Sequence, residues 1–204
     1  MDKWNTPADK QAIEETIVSL KKKNIDAYLV ENKEEAKKKF FEILPQGAEI
    51  LNNSSVTLDE IGISQEIMES GKYNSVKKQL MAMDRKTQGR EMQKLGTAPQ
   101  WAAGSVHAVS KDGQIIIASN SGSQLPGYVY GADHVIFVVG VQKIVDNVED
   151  GIKRLYEHSL ILESERVKIA YGMDKSHIRR IFTLVEEAAP GRTTVIFVNE
   201  VIGY

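Results

Sequence analysis

The seven residues His134-Val-Ile-Phe-Val-Val-Gly140 constrain the fold more than any other stretch of the chain. Val135 to Val139 are all apolar, with no polar side chain between them. Successive side chains of a strand point to opposite faces. A strand without alternation therefore has both faces covered, which is the signature of the interior of a parallel sheet flanked by helices.

The surrounding sequence supplies the other parts. "IDAYLV" (25–30), "AEIL" (48–51), "VKIAY" (167–171) and "TTVIFVN" (193–199) read as further strands. Between them lie helical patterns. Thr6, Pro7 and Asp9 open a first helix with Ile13, Ile17 and Leu20 on one face, closed by Lys21-Lys22-Lys23. Asn32 and Glu35 open a second, with Ala36, Phe40, Phe41 and Leu44 inward and Pro45 and Gly47 as stops. Helix is expected from Leu58 to a stop at Gly71, and again over the polar stretch 74–95, divided near Gly89. Residues 105–118 read as a β-hairpin turning at Lys111-Asp112-Gly113. A helix is expected from Asn147 to Leu160. Another is expected after a cap at Asp174 or Ser176, with Ile178, Ile181, Phe182 and Val185 on one face and Pro190-Gly191 as its stop. Strands alternating with helices predict an α/β fold with a mainly parallel sheet and at least one antiparallel pair. Its 204 residues suffice for a single domain. Residues 1–50 and 72–98 then form largely helical flanks, including extra N-terminal helices.

Composition narrows the function classes. The net charge of −2 gives no basic excess for nucleic acid. There is no cysteine, which excludes disulfides, a thiolate nucleophile and any iron–sulfur cluster held by this chain's own cysteines. That usage fits a cytoplasmic protein. "MDKWNTPADK" has no apolar core of a signal peptide, and the longest apolar run is too short for a membrane span. His107 and His134 sit on apolar strands, where a lone histidine is usually half-buried and satisfied. His158 and His177 read as exposed on helices. None of the four has metal-ligand spacing, so no metal site is expected. The serine-hydrolase elbow, the Walker A loop and the dinucleotide-binding glycine pattern are all missing.

Two polar loops follow strands, where ligands bind in open α/β sheets. In the first, "SNSGSQ" (119–124), Ser119, Ser121, Gly122, Ser123 and Gln124 offer hydroxyls and backbone N–H groups for a carboxylate or phosphate. The same residues also suit a plain solvent turn. In the second, "NSSVTLDEIG" (53–62), Ser55 and Thr57 are candidate anion donors; equally, Thr57 and Glu60 form an ordinary helix cap. Lys143, three residues beyond Gly140, is a candidate anion partner at the same sheet edge, or else a surface lysine.

Gly104 to Arg154 resembles the LUD-domain family of lactate-utilisation proteins. The resemblance rests on His107-Ala108-Val109, Asp112-Gly113, Gly122, Gly131 before "HVIFVVG", Lys143-Ile144-Val145, and Gly151 to Arg154. Ser55, Thr57, Leu58, Glu60 and Gly62 match a second family stretch, and "TTVIFVNEVIGY" is similar to its closing strand. Gly122-Ser123-Gln124 stands where related chains often carry Gly-Asn-Arg, and Gln142-Lys143 where they carry Asn-Lys. The missing arginine removes a bidentate anion donor.

The resemblance implies a Rossmann-like layered sheet, similar to the NagB/RpiA/CoA-transferase fold. It also implies a role in L-lactate oxidation to pyruvate beside iron–sulfur partner subunits, with no cofactor held by this chain. The expected ligand is a small organic acid or a phosphate-bearing molecule, met by Ser55, Thr57, Gly104, the 119–124 loop, Gly140 and Lys143; a homo-oligomer is also compatible. Two alternatives stand beside this. One is an enzyme of the same superfold acting on an acyl or phosphate-bearing molecule, with Glu60 or Asp112 as acid/base. The other is a structural partner protein without a ligand.

Overall fold

The computed structural model describes residues 3–204. Its strands are β1 (Asp26–Val30), β2 (Glu49–Asn52), β3 (Asn74–Ser75), β4 (Trp101–Gly104), β5 (Ala108–Ser110), β6 (Ile115–Ser119), β7 (His134–Gly140), β8 (Ile144–Val145), β9 (Arg180–Leu184) and β10 (Thr193–Val198). Its helices are α1 (Lys10–Lys22), α2 (Lys33–Ile43), α3 (Val56–Ile61), α4 (Ile63–Glu69), α5 (Val76–Met81), α6 (Arg85–Thr97), α7 (Val148–Arg154) and α8 (Leu160–Tyr171).

Six strands form one sheet in the order β1-β10-β7-β4-β2-β3, every neighbouring pair parallel. As the unbroken apolar run requires, β7 lies inside it. Val135, Phe137 and Val139 enter a core shared with Ile13 and Leu20 of α1. Ile136 and Val138 enter a second core with Ala36 and Phe40 of α2 and Leu58 of α3. β10 divides the same way, Val195 and Phe197 against Ile196 and Val198. Burying each such side chain contributes about 1.5–3 kcal/mol, so a polar replacement on either face is costly.

The hairpin 105–118 belongs to a second, four-stranded sheet, β8-β5-β6-β9. It too is covered twice: Ile115 and Ile117 join the α1 core, while Ile116 and Ala118 pack with Trp4 and Leu155. The chain passes from the first sheet to the second at two adjacent strand ends. β4 runs through residues 105–107 into β5, and β7 runs through a 3-10 turn at Val141–Lys143 into β8. A cleft forms at this junction.

Several expectations are corrected. Residues 167–171 are the end of α8, not a strand. The helix begun at α7 continues through a π-helical turn, Leu155–Ser159, into α8, and within 167–171 only Val167 is buried. The apolar alternation of "VKIAY" therefore faces largely solvent, and the backbone is satisfied within the helix. Residues 180–184 form β9 instead of a helix. Ile178, Ile181, Phe182 and Val185 have helical spacing, but β6 offers an open edge, and β9 pairs with it from Ile115↔Leu184 to Ser119↔Arg180. Phe182 and Leu184 then pack inward while Ile181 and Val185 stay exposed. The first helix is capped by Asp9, not Thr6. Helix 56–69 is divided at Gly62, where φ is +75. Within α6 the break falls at Gln88 rather than Gly89. His158 is buried, not exposed, and His177 lies outside any helix. No helix among the described residues is long and apolar enough to cross a membrane.

Candidate functional site

The C-terminal ends of the adjacent strands β2, β4 and β7 open into a cleft of about 720 Å³. In parallel α/β sheets this is the edge where loops carry the polar groups. Each strand end supplies part of the wall: Asn53 to Thr57 after β2, Ser105 to His107 after β4, and Lys143 after β7. The end of β6, with Ser119 to Ser121, faces them from the second sheet.

Lys143 is the centre of the site. It is 1% exposed yet lines the cleft. Its Nζ donates to Thr57 Oγ1 at 3.2 Å and to Ser105 Oγ at 3.1 Å. Both acceptors are neutral hydroxyls, and no carboxylate among the described residues forms an ion pair with it. Burial pushes the amine down to about 7, and the Arg154 guanidinium pushes the same way, against a weaker opposing pull from Glu60. Arg154 is itself buried, donating to the carbonyls of His107 and Trp4 and to Ser159 Oγ. Strongly displaced lysines in clefts are characteristic of functional sites.

The β2 loop differs in detail from its sequence reading. Ser55, not Thr57, caps α3, its Oγ accepting from the Leu58 N–H at 3.3 Å. Thr57 is thereby left to meet Lys143. Glu60 does not close a capping box; its Oε2 accepts from the Gly203 N–H at 3.1 Å, and it does not line the cleft.

The 119–124 loop is an ordered wall. Ser119 Oγ donates to Gln124 Oε1 at 2.9 Å and accepts from the Gly122 N–H at 2.8 Å. Gln124 Nε2 reaches back to the Ala118 carbonyl. Gly122 has φ +84, and the Arg180 side chain lies over it. Arg180 Nη1 also donates to the Asn120 carbonyl at 2.9 Å. Ser121 and Ser123 remain exposed at the rim.

Ser55, Thr57, Ser119, Ser121, Ser123, Gln124 and Lys143 thus line one cleft. Gly104, Gly122 and Gly140 are not among its lining residues. A Cβ on Gly104 would sit 2.0 Å from the hydroxyl oxygen of Tyr128, a cleft residue. A Cβ on Gly140 would sit 2.1 Å from Gln142 Oε1. Gln142 uses its Nε2 to hold the Ile202 and Gly203 carbonyls, fixing the segment that brings Tyr204 to the cleft. Asp112 lies elsewhere, in the β5–β6 turn beside α1, bonded to Ser110 and Gln114.

Sequence reading missed the rest of the wall. Tyr128 comes from a π-helical turn at Gly127–Gly131 and packs edge-on against Phe137. His107 Nδ1 accepts from the Ala118 N–H at 3.2 Å. Burial, with Lys143 and Arg154 nearby, holds its ring down to about 3, so it is neutral. Across the cleft, Glu163 holds Arg166 through two bonds of 2.7 and 2.8 Å and accepts from the Tyr204 hydroxyl. Burial raises the Glu163 carboxyl, but these two donors outweigh it and hold the group below its usual range. Only Ser105 and His107 carried a usable signal, because they directly follow a strand that ends beside β7.

These features define an α/β protein with a polar cleft built around a buried amine at the ends of parallel strands. The LUD domain profile matches residues 13–198, and the chain belongs to the LUD-domain family, a family associated with lactate utilisation. Among solved structures it is similar to a DUF162 family protein from Deinococcus radiodurans, with 14% identity, a TM-score of 0.54, and coverage of 93% of this chain and 95% of that one. At that identity the likeness concerns the fold alone. No curated relative matches the chain.

Proposed function

We propose that this chain binds a small organic acid in the cleft and serves as an accessory component of L-lactate oxidation to pyruvate, beside iron–sulfur subunits in the cytoplasm. The observation that carries the reading is Lys143, a buried cation-forming group with no carboxylate partner among the described residues, bonded to the hydroxyls of Thr57 and Ser105. A bound carboxylate would supply the missing charge and accept from those hydroxyls, whereas Glu163 and Arg166 already satisfy each other. Ile161, Ile169 and Tyr171 stay exposed along α8, the last two at 90% and 63%, which supports a protein contact on that helix.

One observation favours a second reading. A cleft of about 720 Å³ is large for a three-carbon acid and suits a drug-sized molecule. An acyl or phosphate-bearing ligand, on which the chain could act as an enzyme, would use more of it. The positions of Glu60 and Asp112 outside the cleft lend no support to either as the acid or base of such an enzyme.

Thermal shift and calorimetry with L-lactate, pyruvate, sugar phosphates and acyl-CoAs separate the readings. Small carboxylates are expected to stabilise the protein, and Thr57→Val to weaken them. Stabilisation by phosphate-bearing compounds alone favours the second reading. No effect from any of them leaves the structural-partner alternative. Affinity purification from the native host is expected to recover cysteine-rich iron–sulfur proteins; their absence counts against the accessory role.

A further inference from the structure

We propose that Lys143 captures the carbonyl group of a 2-oxo acid in the cleft as a Schiff base, an inference that rests on the anion-binding reading above. The first support is the hydrogen-bond count around Nζ. An ammonium has three N–H donors and no lone pair. Among the described residues Nζ has two acceptors, Thr57 Oγ1 and Ser105 Oγ, both uncharged. Two acceptors match the two N–H bonds of a neutral amine and leave its lone pair unused. The surrounding charges agree. Arg154 repels a cation at this position, while Glu60 acts only through space, since its carboxylate meets the Gly203 N–H. A lysine desolvated beside a second cationic group is a recognised way to make a nucleophilic amine.

The neighbouring groups select the carbonyl compound. Thr57 and Ser105 accept from Nζ, so their own O–H bonds are available to a ligand. Donors this close to the reacting nitrogen suit a carboxylate attached directly to the carbonyl carbon, as in a 2-oxo acid. L-Lactate has a hydroxyl in place of the carbonyl and is expected to bind without reacting.

The step balances without an oxidant. The Nζ lone pair adds to the carbonyl carbon, the carbonyl oxygen takes up a proton, and the nitrogen loses one, giving a carbinolamine. The nitrogen lone pair then forms the carbon–nitrogen double bond as the carbon–oxygen bond breaks, the hydroxyl departs as water with a proton from the neighbouring hydroxyls, and the nitrogen returns its remaining proton to them, leaving the imine. The hydroxyls of Thr57 and Ser105 adjoin Nζ and serve as the proton relay. His107 lines the cleft with Nδ1 occupied by the Ala118 N–H, so Nε2 carries the ring hydrogen and can donate to the departing oxygen.

The test uses the intact protein with pyruvate and cyanoborohydride, followed by intact-mass analysis and peptide mapping. The expected result is one adduct per chain, heavier by the mass of the acid less one oxygen. It should map to Lys143 with labelling at least about tenfold above any surface lysine, since at neutral pH those are almost wholly protonated. Lys143→Arg is expected to abolish it. Mapping of the unmodified chain decides the matter even if that variant fails to fold. Calorimetry with pyruvate and with L-lactate, without reductant, runs in parallel. If pyruvate binds but Lys143 stays unlabelled, or labelling is spread evenly over surface lysines, the Schiff base is wrong and Lys143 is a structural pin between α3 and the sheet junction. If neither acid binds, the anion-binding reading fails and this inference with it.

Discussion

Replacing Lys143 by methionine should make the protein more stable near neutral pH. The folded lysine sits at about 7 instead of 10.5 because of burial, reinforced by Arg154. A folded-state value below the unfolded one means that the unfolded chain binds the proton more tightly. At about pH 6 both states are protonated and the full difference, about 5 kcal/mol, opposes folding. Lys143→Met removes that cost. It also removes two hydrogen bonds, to Thr57 and Ser105, worth about 1 kcal/mol each. The net expectation is a gain of about 3 kcal/mol at about pH 6, or roughly 6–12 °C in Tm for a chain of this size. Above about pH 7 the folded lysine is neutral while the unfolded one is still charged, so the wild type gains about 1.4 kcal/mol per pH unit. The two proteins should become equally stable at about pH 9, with the variant the less stable beyond it. Urea unfolding of both across this range measures the difference directly. A Lys143→Met protein that is less stable at about pH 6, or a difference that does not change with pH, would mean that burial of the charged lysine does not oppose folding.

Other outcomes follow from the same structure. Gly104→Ala places a methyl 2.0 Å from the Tyr128 hydroxyl oxygen, and should cost about 1–3 kcal/mol in denaturant unfolding along with ligand binding in the cleft. Ser55→Ala removes the α3 cap and should cost about 1 kcal/mol by the same assay. His107, held at about 3 by burial and by Lys143 and Arg154, destabilises the fold as pH falls from its usual 6.5 toward 3, because only the unfolded state then gains the proton. Acid titration of His107→Gln should show a shallower loss over that window. We also propose that the two sheets fold as one domain, since β6, β7 and β10 share a core; calorimetry should then show a single unfolding transition.

In the central sheet β1, β2, β7 and β10 were legible because they carry their own signal, whereas the short β4 and the two-residue β3, the latter within a stretch expected to be helical, were not. Val135 to Val139 and Val195 to Val198 have two covered faces, and no surface context alters that. β9 and α8 were not legible, because their patterns compete with tertiary context. Helical spacing at Ile178, Ile181 and Phe182 yields to the open edge of β6, and the strand-like alternation of 167–171 yields to a helix carried over from α7. At the site, residues on strand-end loops were readable from position alone, which brought Ser55, Thr57, the 119–124 loop and Lys143 together before any geometry. Tyr128, Glu163, Arg166 and Tyr204 come from a π-helical turn, a misread helix and the end of the chain. Nothing local in the sequence ties them to the cleft. The pairing of Lys143 was equally hidden, because its acceptors Thr57 and Ser105 lie 86 and 38 residues away.

The most direct test of the account is isothermal titration of pyruvate and L-lactate into the wild type and into Lys143→Met. Saturable binding of both acids by the wild type, lost in a variant that unfolds cooperatively at higher temperature, is the expected result. Equal affinity in the two proteins, or no binding to the wild type, would contradict the claim that the cleft around Lys143 is an organic-acid site.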